Sequence, residues 1–169
     1  MKESRSEEIL KKAILMEKRG KAFYEQVAKN TDNEEVANIF QIMAKEEKTH
    51  IDYLSEQFKY FKENNKFKKD KLEAKDDSDD AIANLILSGD IKNKISAAGY
   101  EAAAINAAID METKAIEVYS EHAKKTNDKN EKELFQWLSD WEKGHHKILN
   151  ELSKELQEEI WNDNAFWPF

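Results

Sequence analysis

Residues 43–54 read MAKEEKTHIDYL and residues 138–149 read LSDWEKGHHKIL. Each stretch carries a glutamate followed three residues later by a histidine: Glu47 with His50, and Glu142 with His145. Residues three apart lie on the same face of an α-helix, so each pair can converge on one ion or on two adjacent ions. Apolar residues recur at helical spacing around both pairs, which places the glutamate and the histidine on a face that we expect to be buried.

The two stretches belong to a longer internal repeat. At an offset of 95 (142 minus 47), residues 13–54 align with residues 108–149 without a gap, and 14 of the 42 aligned positions are identical. Each repeat contains two helical periods separated by a polar break, which is the pattern of a helical hairpin. The sequence therefore predicts an all-α four-helix bundle made of two repeated hairpins. We expect its helices near 5–29, 33–62, 97–125 and 129–159.

Three capping patterns mark helix starts, because in each a capping residue precedes a glutamate by three positions. They are Ser4-x-x-Glu7, Thr31-x-x-Glu34 and Asp128-x-x-Glu131.

We expect a single domain over residues 1–169. It comprises a hairpin over 5–62, a crossover over 63–96 with a short apolar helix at 81–87, a second hairpin over 97–159, and an aromatic tail over 160–169. The crossover has to span about one bundle length, roughly 40 Å at 1.5 Å per residue. A connection of this length could also let helices exchange between two chains, so we expect a homodimer, with or without such a swap.

Composition narrows the function classes. The formal net charge of -8 repels a phosphate backbone, so we expect no nucleic-acid partner. The longest uncharged apolar runs are too short to cross a bilayer, and we expect no membrane association and a cytoplasmic location. The chain contains no cysteine, which excludes disulfides and thiolate metal sites within it.

Two further glutamates lie on apolar stripes, Glu17 in the first helix and Glu112 in the third. Each precedes the glutamate of the following Glu-x-x-His pair by 30 residues, with a turn near the midpoint, so all four carboxylates should lie at one level of the bundle. Four buried ionised carboxylates would cost several kcal/mol each without compensation. Two divalent cations would cancel their charge, and mixed carboxylate and imidazole ligands suit iron or manganese better than structural zinc.

With these residues the chain resembles the ferritin-like di-iron carboxylate proteins, and specifically a rubrerythrin-like protein reduced to its bundle domain. The stretches AILMEKRGKAFYE (13–25), MAKEEKTHIDYL, AAIDMETKAIEVY (107–119) and LSDWEKGHHKIL carry the resemblance across nearly the whole bundle. It implies a ferritin-like fold and two iron ions, with manganese or a mixed pair as alternatives. The implied ligands are Glu17, Glu47, His50, Glu112, Glu142 and His145, with Glu47 and Glu142 as bridges.

The chain departs from that family in two ways. Rubrerythrins commonly carry a rubredoxin-like CxxC domain that supplies electrons, and this chain has no cysteine, so the resemblance implies an external donor such as rubredoxin. They also often have an extra carboxylate one turn before the third-helix ligand, where this chain has Ala108 and Ile109. The second departure argues against the redox-linked exchange of ligands known in the family.

Tyr24 and Tyr119 each follow a predicted ligand by seven residues and so share its helix face. A phenol in that place could hydrogen-bond a ligand carboxylate or supply an electron, although tyrosine also packs readily in ordinary cores. His122 and His146 have no histidine counterpart in the first repeat, and we place both outside the ligand set.

The resemblance favours a non-haem di-iron peroxidase, in which a ferrous pair reduces peroxide to water with electrons from outside the chain. The alternative is a ferroxidase or iron-binding protein that oxidises Fe(II) with dioxygen or peroxide and stores or passes on the product. A metal-free interaction bundle is a third reading, and it predicts a thermal melt that a chelator does not change.

Overall fold

Four α-helices make up the computed structural model of the protein. It describes residues 4–69, Leu72 and residues 99–162, with side chains up to Lys154. The helices are α1 (Arg5–Asn30), α2 (Glu34–Asn64), α3 (Tyr100–Lys125) and α4 (Lys129–Asn162). No strand occurs in these described ranges. The predicted all-α four-helix bundle is thus confirmed, and the helix ends differ from the expected ones by at most three residues.

The capping residues explain where the helices begin, and one prediction among them is wrong. The Ser4 hydroxyl accepts from the Glu7 amide at 3.2 Å, and the Asp128 carboxylate accepts from the Glu131 amide at 2.9 Å. At the start of α2, however, the cap is Asn33 rather than Thr31. The Asn33 side chain accepts from two amides of the first turn, whereas Thr31 ends α1, with its own amide donating to the Val27 carbonyl.

Two apolar clusters, one toward each end of the bundle, enclose a polar layer between them. The first contains the end of α1, the start of α2, the start of α3 and part of α4, with Val27, Phe40 and Ile105 among its members. The second contains the opposite ends of the same helices, with Leu10, Leu54 and Phe135. The end of α2 therefore lies beside the second cluster and the start of α3 beside the first, at opposite ends of the bundle.

The helices pair mainly within each repeat, α1 along α2 and α3 along α4, whereas α1 meets α3 over a short stretch. Most of the predicted crossover, including the short helix at 81–87, lies outside the described residues, as does the aromatic tail beyond Asn162. Among the described helices, none combines the length and the apolar character needed to cross a membrane.

Candidate metal centre

Six side chains predicted as ligands meet in the polar layer between the two apolar clusters. Each helix contributes at this level: α1 supplies Glu17, α3 supplies Glu112, and α2 and α4 each supply a glutamate and a histidine. All six side chains are buried, and both histidines are fully inaccessible to solvent. The helical repeat thus brings together residues as far apart in sequence as Glu17 and His145.

Their ligand atoms form two overlapping groups in which all atoms lie within 4.8 Å of one another. One group contains Glu17 and His50, and the other contains Glu112 and His145. Glu47 and Glu142 belong to both groups. This is the arrangement that two neighbouring cations with two shared carboxylates require.

Hydrogen bonds inside the cluster show how closely the six groups pack. Nδ1 of His50 lies 2.9 Å from a Glu17 oxygen and 3.1 Å from Oε1 of Glu142. On the other side, Nδ1 of His145 lies 3.1 Å from Glu142 and 3.3 Å from Glu112. Both histidines therefore turn the same ring nitrogen, Nδ1, toward the carboxylates of the predicted ligands.

Burial and mutual repulsion perturb the carboxylates strongly. Burial, reinforced by the charge of Glu142, raises the pKa of Glu112 to about 8. The pKa of Glu47 is raised well above its usual range by burial and by the charges of Glu142 and Glu17. Burial by itself would raise the pKa of Glu142, but the charges and hydrogen bonds of His50 and His145 together outweigh burial and lower that pKa. Without cations, the cluster can stay buried only by retaining protons.

The pKa values of the two histidines are raised by the same cluster of carboxylates. Burial by itself would lower the pKa of His50, yet the charge of Glu142 and hydrogen bonds with Glu142, Glu17 and Glu47 together raise it well above its ordinary value. The pKa of His145 is likewise raised despite burial, through hydrogen bonds with Glu112 and other carboxylates. Bound cations would take over the compensation that these protons provide, since metal ligation requires deprotonated carboxylates and neutral imidazoles.

The donor set fits two divalent cations such as iron or manganese. Four carboxylates supply four negative charges, and the mixture of oxygen and imidazole nitrogen donors matches the preference of both metals. Oε1 of Glu142 is buried in the cluster 3.1 Å from Nδ1 of His50, and no other donor bonds it within the described structure. A buried carboxylate oxygen that faces an imidazole nitrogen able to bind a metal is suited to a ligand role.

Tyr24 and Tyr119 join the two repeats across the cluster. The Tyr24 hydroxyl on α1 donates to Glu112 on α3, and the Tyr119 hydroxyl on α3 donates to Glu17 on α1. Burial and the neighbouring carboxylate charges raise the pKa of both phenols well above 10, so both keep their protons and act as donors. Each tyrosine thus orients the carboxylate supplied by the other repeat.

A cavity of about 190 Å³ between α1 and α3 reaches the four glutamates and Tyr24. Its other lining residues form pairs at the repeat offset of 95: Met16 with Met111, Arg19 with Lys114, and Gly20 with Ala115. Small residues at the last pair leave room between the helices. The cavity is large enough for a small molecule to approach the carboxylates.

Sequence reasoning missed one residue of this layer, Glu46. It is buried, its carboxylate is hydrogen-bonded with Nε2 of His145, and it accepts a hydrogen bond from Nε1 of Trp141 at 3.3 Å. Glu46 is not part of the ligand pattern, and the repeat places a tryptophan at the equivalent position. This mismatch between the two repeats is the sequence feature that could have drawn attention to Glu46.

Neither of the remaining histidines enters the cluster. His122 is buried near the start of α4, where Nε2 lies 2.8 Å from the Glu131 carboxylate. That carboxylate also accepts from the Thr126 hydroxyl, so it fastens the turn between α3 and α4 instead of reaching back to Asp128. His146 is half-buried and bonds Asn150.

Comparison with known proteins agrees with this geometry. The family model described as Rubrerythrin matches residues 8–153. Searches among curated proteins and among solved structures found no significant match. No other domain is indicated by the family comparison, and the chain contains no cysteine. Because the match covers most of the chain and the buried carboxylate and histidine cluster is in place, the chain belongs to the rubrerythrin family, a ferritin-like di-iron family.

Proposed function

We propose that the protein is a di-iron oxidoreductase that reduces peroxide with electrons from an external donor. The observation that carries this proposal is the buried cluster of four glutamates and two histidines, arranged as two overlapping groups and reached by one small cavity. A purely structural bundle has no reason to bury so many ionisable groups at one level.

In this proposal, Glu17 and His50 would hold one ion, Glu112 and His145 would hold the other, and Glu47 and Glu142 would be shared between the two positions. The membership of Glu47 and Glu142 in both groups supports the bridging role. The charge balance supports divalent ions, since four carboxylates offset two such cations.

When bound in the ferrous state, the metal pair would supply the two electrons that cleave the O–O bond of peroxide, with two protons taken up and water as product. The chain's own residues provide the setting for this reaction. Tyr24 and Tyr119 hold Glu112 and Glu17 in place by donating hydrogen bonds. The cavity of about 190 Å³ beside the four glutamates has room for a substrate as small as peroxide.

We expect the electrons to come from another protein, since the 169 residues of this chain include no cysteine to hold an iron–sulfur or rubredoxin-type centre. Membership of the rubrerythrin family supports a rubredoxin-type donor. Such a donor would meet the bundle at its surface and return the metal pair to the ferrous state after each turnover.

The test combines metal analysis with an optical spectrum. Protein loaded anaerobically with Fe(II) should contain two ions per chain, and peroxide should produce the absorption of an oxo-bridged ferric pair. With rubredoxin and its reductase present, peroxide should then be consumed over many turnovers. The matched control pair is Glu142→Ala and Glu133→Ala, since Glu133 is an exposed glutamate on the same helix.

Other outcomes would point to other functions. Uptake of more than two iron ions per chain, with peroxide or dioxygen consumed only in proportion to the iron, would identify a ferroxidase or iron-storage protein. Unchanged thermal melting after treatment with a chelator, together with no metal in the purified protein, would leave only the metal-free bundle. If the purified protein contained two manganese ions per chain, the proposed metal centre would stand, with manganese in place of iron.

A further inference from the structure

The repeat symmetry of the metal centre breaks at one buried position. Glu46 in α2 and Trp141 in α4 are equivalent at the offset of 95, and both are less than 8% exposed. Every predicted ligand has an identical residue at its equivalent position, whereas here one repeat has an acid and the other has an indole. The two halves of the centre therefore differ in the side chain at this buried position next to the histidines.

A carboxylate, that of Glu46, bonds the ring nitrogen of His145 that faces away from the predicted ligands. Nδ1 of His145 faces Glu142 and Glu112, and Nε2 on the opposite side of the ring is hydrogen-bonded with Glu46. The same Glu46 oxygen accepts from Nε1 of Trp141 at 3.3 Å, which fixes the carboxylate in position. An acceptor at Nε2 selects the tautomer that keeps its proton there and leaves Nδ1 as the metal-binding nitrogen.

Behind His50 stand two indole rings. Nδ1 of His50 faces Glu17 and Glu142, but Nε2 has no hydrogen-bond partner within the described structure. The rings of Trp137 and Trp141 pack edge-to-face against this imidazole, with centroids 5.4 and 5.2 Å away. Equivalent histidines thus have a carboxylate acceptor in one half of the centre and an apolar wall in the other.

We propose that the two metal positions are inequivalent: the position served by His145 binds a divalent cation more tightly than the position served by His50, and Glu46 is the positioning residue that makes the difference. A carboxylate behind a metal-bound histidine fixes the ring and raises its basicity, and removing such a partner typically lowers metal affinity by about 10–100-fold. The inference rests on the proposed metal centre, whose ligands it takes as given.

The experiment is an anaerobic titration of the metal-free protein with Co(II), followed by the visible spectrum and by calorimetry. Two binding steps are expected. His145→Ala should remove the tighter step and His50→Ala the weaker one, which assigns each step to a position.

Glu46→Gln should weaken the tighter step by about 10–100-fold and leave the weaker step nearly unchanged. The amide keeps the size of the side chain and can still accept from Trp141, while it loses the charge behind His145. Glu46→Asp, which restores a carboxylate, should recover part of the affinity and of the Co(II) spectrum. Glu56→Gln, at an exposed glutamate on the same helix, should change neither step.

Thermal melting of the metal-free variants separates folding from binding, because a variant that merely fails to fold would lose both steps together. Two Co(II) ions bound with equal affinity, or a tighter step unaffected by Glu46→Gln, would overturn the inequivalence while leaving the metal centre intact. Failure of the wild-type protein to bind two ions would overturn the proposed function, and this inference with it.

Discussion

At the scale of single residues, the assignment of Glu47 and Glu142 as bridging ligands leads to the most specific prediction about the site. Glu47 and Glu142 each belong to both groups of ligand atoms, so neither can be lost without affecting both metal positions. The other two carboxylates, Glu17 and Glu112, each belong to one group. A difference in metal stoichiometry between these two classes of variant is therefore expected.

We predict that Glu47→Ala or Glu142→Ala abolishes tight binding of both ions, because each variant removes a carboxylate shared by the two positions. Metal content after anaerobic loading and desalting measures this directly. Glu133→Ala serves as the control for α4 and Glu56→Ala for α2, since both are exposed. Retention of two ions by either bridging variant would contradict the assignment.

The tyrosines allow a second prediction at this scale. Tyr119→Phe removes the hydroxyl that donates to Glu17 and leaves a buried carboxylate oxygen without that donor. We expect the free energy of unfolding of the metal-free protein to fall by about 1–3 kcal/mol, the usual cost of leaving a buried acceptor without its hydrogen-bond donor. Denaturant unfolding measures the loss. Tyr100→Phe is the control, because Tyr100 is exposed at the start of α3, and an equal effect in both variants would contradict the prediction.

The residues of the centre show which features a sequence can reveal. Glu17, Glu47, His50 and their partners could be picked out because charged residues recur on apolar stripes at one offset. The role of Glu46 could not, since it depends on the approach of α2 to α4. Nothing in the spacing along α2 shows that its carboxylate meets a histidine 99 residues later.

At the scale of elements, the contact between α1 and α3 determines access to the centre. These two helices touch over a short stretch, and the cavity lies between them. Gly20 on α1 faces the Glu47 carboxylate, and a Cβ at this position would lie 3.5 Å from Glu47 Cδ, an ordinary van der Waals distance. Its repeat equivalent, Ala115, already carries a methyl group at the cavity wall.

We predict opposite effects of Gly20→Ala on stability and turnover. Replacing a glycine inside a helix by alanine should stabilise the protein by about 0.5–1 kcal/mol, because the unfolded chain loses conformational freedom. The added methyl group also narrows the cavity beside Glu47, so peroxide turnover should fall while metal content stays at two. Ala22→Gly, at an exposed position in the same helix, is the stability control, and unchanged turnover would exclude this cavity as the access route.

The helices themselves were predictable because their hydrophobic period and their caps agree. Ser4 and Asp128 cap α1 and α4 as the sequence pattern indicates. The exception at α2 has a local cause. The turn Thr31-Asp32-Asn33 contains three residues able to cap a helix. Thr31 already ends α1, and its hydroxyl donates a hydrogen bond to Glu101 of α3, which leaves Asn33 as the cap of α2. That contact joins the two repeats and is invisible in the local pattern.

At the scale of the whole molecule, the bundle is an apolar structure divided by one layer of charge. The clusters at its two ends supply burial, while the layer between them holds the four carboxylates and two imidazoles of the predicted ligands and the carboxylate of Glu46. In the metal-free protein, this layer has to be kept nearly neutral by bound protons. Its stability should therefore depend on pH, and the direction follows from the pKa values.

The pKa values of Glu47, Glu112, His50 and His145 are all raised in the folded protein, that of Glu112 to about 8. A group with a raised pKa keeps its proton in the folded state after the unfolded chain has released it. Its contribution to stability is therefore present below the unfolded pKa and is lost as the pH rises toward the folded one. The lowered pKa of Glu142 acts only in acid, below about pH 4.5, and does not alter the sign near neutrality.

We predict that the melting temperature of the metal-free protein falls between pH 6 and pH 8, because the retained protons are progressively lost from the buried layer. Protein loaded with Mn(II) should melt at a higher temperature, with the advantage over the metal-free form growing as the pH rises, since cations compete with protons for the same atoms. Glu112→Gln should flatten the metal-free profile, and Glu117→Gln, at an exposed site on the same helix, should leave it unchanged. A metal-free melting temperature that rises from pH 6 to pH 8 would mean that the buried layer is not held together by protons.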